Sequence, residues 1–211
     1  MAGAQDGGVG GAVHWTDDHR FEVVVAVPVV QQAVNACAAQ ARLPMSAQQF
    51  LAVAAAQVPI PAVRLALHVG AAERGHAMGL KLGFRTGKSR GDLVPAPIGL
   101  VTAVALCSLA YHGQVVRSVE QSENGCTLIG EIPSDAKTFG GVLRVQVARS
   151  DARQTFVHAA AEIPGQLYDW GKSKKSVADL FAAVLALPGA ASAGSGNPAI
   201  LGAIHLLTRT G

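Results

Sequence analysis

Apolar and polar residues alternate most plainly between Val142 and Val147, where Leu143, Val145 and Val147 share one face and Arg144 and Gln146 the other. A period of two marks a strand with one buried side. Cys126 to Ile132 alternates likewise, with Cys126, Leu128, Gly130 and Ile132 opposite Thr127, Ile129 and Glu131. Thr155 to Ile163 predicts a further strand, reached through the polar turn Arg149-Ser150-Asp151-Ala152-Arg153. Short polar turns favour antiparallel neighbours. Beyond these strands the period changes. From Ser176 the apolar positions are Val177, Leu180, Phe181, Val184 and Leu187, the single stripe of a helix lying on a core. Pro188-Gly189 ends it.

The N-terminal half is more broken. Met1 to Gly11 is glycine-rich, without the basic start and apolar core of a signal peptide, and reads as a flexible arm. Phe21 to Val27 is β-branched and apolar and predicts a strand closed by Pro28; Val29 to Leu43 predicts a helix with Val30, Val34, Cys37 and Ala41 on one face. Ser46-Ala47-Gln48-Gln49 fits a capping box and opens a second helix through Val58. Val63–Val69 and Ala77–Arg85 predict a hairpin, the latter with Met78, Leu80, Leu82 and Phe84 on one face, and Thr86–Asp92 reads as a polar loop.

Leu93 to Val116 carries no formally charged residue. A spanning helix needs about 20 apolar residues. Pro95, Pro97 and Gly99 confine the continuous helix to a start at Ile98 or Leu100 and an end at His112, with Gly113 as its cap. The prediction is a buried helix, with membrane or subunit contact as alternatives. Ser122-Glu123-Asn124-Gly125 joins Val115–Glu120 to Cys126–Ile132 as a hairpin, Asn-Gly being a strong turn signal. Gly189–Asn197 reads as linker and Pro198–Thr208 as a short last helix. The predicted organisation is an arm over 1–19, one α+β domain over 20–188 and a tail over 189–211.

The expected fold is α+β: a curved antiparallel sheet, the long C-terminal helix packed on it, and an extra buried helix near 99–112. This element order resembles the START-like, or helix-grip, fold, in which a bent sheet wraps the last helix around an apolar cavity. A looser internal likeness, between units starting near Phe21 and near Val94, suggests a duplication instead. Ile132-Pro133-Ser134, Phe139-Gly140-Gly141-Val142 and Gln166-Leu167-Tyr168-Asp169-Trp170-Gly171-Lys172 resemble a family of uncharacterised bacterial domains over residues 114–187. The chain departs from that pattern at Phe139, where the family has tryptophan. The resemblance implies a fold unit and no activity.

Composition narrows the function. Half of the 211 residues are hydrophobic and 15% are charged, below the usual quarter or so, and mean hydropathy is +0.31. The surplus suits an Ala-rich core, a ligand cavity or a subunit interface. A net charge of +3 with 5% aromatics and no basic stripe excludes a nucleic-acid binder. Cys37, Cys107 and Cys126 have no metal spacing and read as reduced, buried thiols of a cytoplasmic protein. Lys172, Lys174 and Lys175 crowd the positive end of the last helix, so they are either solvated or offset by an anion. Trp170, Phe84, His68 and His158 are the candidates for lining a cavity, the histidines as bases near neutral pH in a cyclase- or hydratase-type reading. Thr86-Gly87-Lys88-Ser89 lacks the glycine spacing and the following helix of a phosphate loop, and Arg90-Gly91-Asp92 is too short to carry meaning. No nucleophile elbow, paired carboxylates, metal set or cofactor motif is present. The expectation is a non-catalytic protein enclosing an apolar small molecule or lipid between sheet and helix. The alternative is an assembly subunit, homo-oligomeric or part of a larger complex, whose apolar helices and arms contact other chains.

Overall fold

The computed structural model describes residues 14–41, 85–134, 140–164 and 171–187. In chain order the elements are a 3-10 turn (Trp15–Asp17), α1 (Phe21–Ala26), α2 (Pro28–Ala39), β1 (Arg85–Val94), α3 (Ile98–Tyr111), β2 (Val115–Ser122), β3 (Gly125–Ile132), β4 (Gly141–Arg149), β5 (Thr155–Pro164) and α4 (Lys172–Leu185). The strands form one five-stranded sheet in the order β1-β5-β4-β3-β2. Every pairing is antiparallel. The class is α+β, as the alternation in β3 and β4 and the stripe in α4 predict.

β4 buries Leu143, Val145 and Val147 and exposes Val142, Arg144 and Gln146. In β5 the buried set is Thr155, Val157, Ala159, Ala161 and Ile163. These inward residues meet α3 and α4, which lie on the same side of the sheet, α3 against β4 and β2 and α4 against β1 and β5. α4 turns Val177, Leu180, Phe181 and Val184 inward.

α3 explains the uncharged run. Every residue from Ile98 to Ala110 is buried, because sheet, α4, α1, α2 and the 3-10 turn all pack against it. A helix surrounded in this way has no face on which a charge is solvated. Pro97 stands at its N-cap in extended backbone. Gly113, at φ 65°, ends it: its N–H donates to the Ala110 carbonyl at 3.1 Å, and the Gln114 N–H donates to the Leu109 carbonyl at 2.9 Å. That bond pair is a Schellman closure. Among the described residues no helix is long and apolar enough to cross a membrane.

The 3-10 turn lies across the start of α3. A Cβ at Gly99 would stand 2.2 Å from the Trp15 carbonyl oxygen and 2.9 Å from that of Thr16. Gly99→Ala is therefore expected to destabilise the fold. Overpacking costs about 1–3 kcal/mol, more than the helix-propensity gain of at most about 1 kcal/mol. Urea denaturation checks this; a midpoint equal to or above that of the parent would show that the turn does not sit on Gly99.

Residues 14–19, expected in the flexible arm, are thus docked, with Thr16 and Asp18 buried. Gln121 holds this segment to the β2–β3 hairpin. Its Oε1 accepts the Phe21 N–H at 3.0 Å, and its Nε2 donates to the carbonyls of His19 at 3.1 Å and Gly125 at 2.8 Å. Arg149 donates to the Asp17 carbonyl. The Asp18 carboxylate accepts the Arg20 backbone N–H at 2.9 Å and both arms of its guanidinium, at 3.0 and 2.7 Å. The Arg20 bonds, chiefly from the side chain, lower its pKa from 3.8 to about 2. A depressed carboxylate pKa contributes stability above the unfolded value and loses it as pH falls through the folded one. The stability difference between the parent and Asp18→Asn should therefore be constant above about pH 5 and shrink between pH 3.8 and about 2. A gap that stays constant through this window in acid-titrated chemical denaturation would rule the pair out as its source.

Two sequence expectations are corrected. Phe21–Val27 is a helix, α1, and not a strand. Phe21 and Val24, three apart, are buried against the core, and this packing overrides the strand preference of the valines. Val27 is extended (φ −70°, ψ 122°), as the residue before a proline prefers, so α1 stops there and α2 begins at Pro28. Thr86–Asp92, expected as a loop, lies within β1, paired residue for residue with β5. At the Asn-Gly hairpin, Ser122 pairs with Gly125 around Glu123-Asn124. Gly125 is needed for clearance: a Cβ would lie 2.0 Å from the Val147 carbonyl oxygen. The helix after Ser46, the hairpin of Val63–Val69 and Ala77–Phe84, the Asp169-Trp170 junction and the stretch from Pro188 onward lie outside the described residues.

Candidate functional site

The helices cover one side of the sheet. The other side takes the alternate residues of every strand, and their positions follow from the register. One row across it holds Leu93, Phe156 and Ala148; the next holds Gly91, His158, Gln146, Thr127 and Glu120; the next Ser89, Ala160, Arg144, Ile129 and Ser118; the last Gly87, Glu162, Val142 and Glu131. Leu93, Phe156 and Val142 are the exposed large hydrophobic side chains among the described residues, at 50%, 38% and 36%. All three belong to this face.

Its centre is shaped by a missing side chain. A Cβ on Gly91 would lie 3.2 Å from Phe156 Cζ and 3.6 Å from His158 Cδ2. Both rings therefore reach over Gly91, the cross-strand partner of His158. The result is an aromatic pair on a glycine floor, with Leu93 beside Phe156 and Gln146 beside His158. Charge sits toward the opposite end, where Arg117, at a bulge in β2, is ion-paired with Glu131, near Arg144 and Glu162.

Of the residues that the sequence singled out, His158 lies half-buried on this outer face, turned away from α4 and the space between sheet and helices. Its cross-strand neighbours, Gly91 and Gln146, offer neither an acid nor a nucleophile. Lys172, Lys174 and Lys175 open α4, in the helical layer on the other side of the sheet. The two sets are not brought together. Lys175 Nζ pairs with Asp179 at 2.8 Å, one turn on, and the same carboxylate lies 3.7 Å from His112 Nδ1. The N-cap of α4 is Gly171 at φ 86°. His68, Phe84 and Trp170 lie outside the described residues. Among the described residues no group of three or more His, Cys, Asp or Glu side chains is placed to hold a metal ion.

Sequence reasoning missed Leu93, Gly91, Phe156 and Val142. The signal for Phe156 was the alternation that it shares with His158, but both faces of β5 are rich in apolar residues. Only the position of α4 decides which side is covered.

Compared with protein-family models, curated proteins and solved structures, the chain matches none of them.

Proposed function

We propose that this chain is a non-catalytic assembly protein that pairs with a second copy of itself through the outer face of its sheet. The observation that carries the reading is the collection of Leu93, Phe156 and Val142 on that one face. The uncharged run of Leu93–Val116, by contrast, is spent almost wholly on the core. The face also carries both signs of charge, in Arg144 and Glu162. A two-fold axis through it lets the arginine of one copy meet a carboxylate of the other, as an isologous interface requires. Five strands at about 4.8 Å and eight residues at about 3.3 Å give a face of roughly 24 by 26 Å, comparable with the ~800 Å² per partner of a standard interface.

Light scattering over a concentration series tests this. The parent is expected to be dimeric and the double variant Leu93→Glu, Phe156→Glu monomeric with unchanged circular dichroism. A parent that stays monomeric at high concentration, or a variant that still dimerises, rejects the reading.

A second reading has its own observation. β1 sits beside β5 and α4 lies over that pair, a strand order that supports a START-like helix-grip and, with it, an apolar small molecule held between sheet and α4. Organic extraction of protein purified under native conditions, followed by mass spectrometry, should then recover a stoichiometric lipid-like compound. Repeated recovery of none would remove it.

A further inference from the structure

The α2–α3 contact holds a chemical group that the proposed function leaves unused. Small side chains predominate there: α2 buries Ala33, Cys37 and Ala38 beside Val30 and Val34, and α3 brings Ala103, Cys107 and Ala110. Such residues let two helices approach to the short end of the usual 8–10 Å interaxial range. Cys37 and Cys107 are both in the buried core, and their thiols are in hydrogen-bonding contact with each other. The third cysteine is separate. Cys126, on β3, is in contact with the Thr102 hydroxyl instead, and burial pushes its thiol up to about 12.

We propose that Cys37 and Cys107 are a disulfide-forming pair that reversibly cross-links α2 to α3. The oxidant is a low-molecular-weight disulfide. The thiolate of Cys37, three positions from the Gln40 cap of α2 and so exposed by fraying of that end, attacks one of its sulfurs. One thiol is released and a mixed disulfide forms on Cys37. The Cys107 thiolate then displaces the second thiol and closes the intrachain bond. Two protein thiols are oxidised, one small disulfide is reduced to two thiols, and the two protons leave with them. The closed loop joins positions 37 and 107, and a bridge over so long a loop constrains the unfolded chain strongly. Thiol contact already satisfies the need for two cysteines on facing helices to point at each other.

The full chain reports the result directly, because trypsin places the cysteines on different peptides: Phe21–Arg42, Gly91–Arg117 and Ser118–Lys137. Folded protein is incubated with oxidised glutathione, remaining thiols are blocked with N-ethylmaleimide, and the digest is mapped by mass spectrometry without reduction. The expected product is Phe21–Arg42 joined to Gly91–Arg117 with the loss of two hydrogens, Cys126 carrying the blocking group, and a thermal midpoint several degrees above that of the reduced protein. Dithiothreitol should reverse both. The linked peptide should disappear in Cys37→Ala and in Cys107→Ala, and the parent digest decides the matter even if either variant folds poorly. Glutathione retained as a stable mixed disulfide, a bridge that includes Cys126, a bridge between chains, or three blocked thiols would each overturn the proposal.

Discussion

Phe181→Ala is expected to cost about 3–5 kcal/mol, a large part of the 5–15 kcal/mol that typically holds a domain together. Phe181 is fully buried on the inward stripe of α4, in the layer where that helix meets β1 and β5. Truncation removes apolar contact on both sides and leaves a void that rigid strands cannot collapse to fill. It also strips the support from Arg90, whose guanidinium carbon lies 4.4 Å from the ring centroid. An exposed cation–π contact is worth about 0.5–1 kcal/mol, so most of the loss is packing. Urea denaturation of Phe181→Ala, Arg90→Ala and the double variant separates the two contributions. A loss below about 1 kcal/mol for Phe181→Ala would show that α4 is not seated through this ring. Phe181→Leu should recover much of the difference.

The second large effect tests α3. Val104→Asp places a carboxylate at the middle of a helix on which Ile98 to Ala110 are all buried. Desolvating an unpaired charge costs several kcal/mol, and α3 carries no cation within its own length to meet it. The variant is expected to lose its far-ultraviolet helical signal, or to keep it only at acid pH where the new carboxyl is neutral. Phe156→Asp, on the outer face, serves as control and should change stability by no more than about 0.5 kcal/mol, as exposed substitutions do. A folded Val104→Asp at neutral pH would mean that α3 has a wet side.

These contrasts show what was legible in the chain. β3, β4 and α4 could be read because each separates its residues cleanly into a wet and a dry side. α1 could not, since Phe21-Glu22-Val23-Val24-Val25-Ala26 has strand propensity and only packing against distant elements makes it helical. β1 was hidden for the opposite reason. Arg85 to Val94 holds few apolar residues, and it is a strand because β5 offers it a full ladder. The candidate face was half legible: alternation groups Phe156, His158 and Ala160, but the side they occupy depends on where α4 settles. The clamp of Gln121 on residues 19 and 21, and the meeting of Cys37 with Cys107, join positions far apart in sequence, and no local pattern encodes them.

The sheet order carries a consequence for biosynthesis. Of the described strands β1 is translated first, while its paired neighbour, β5, is translated last. Until then its hydrogen-bonding groups have no ladder to join, whereas β2 to β5 zip up through successive neighbours as they emerge from the ribosome. A greasy ribbon left waiting for so long would invite aggregation. The lysine, arginines and glycines of Arg85–Val94 keep that waiting segment hydrated and unattractive to other nascent chains.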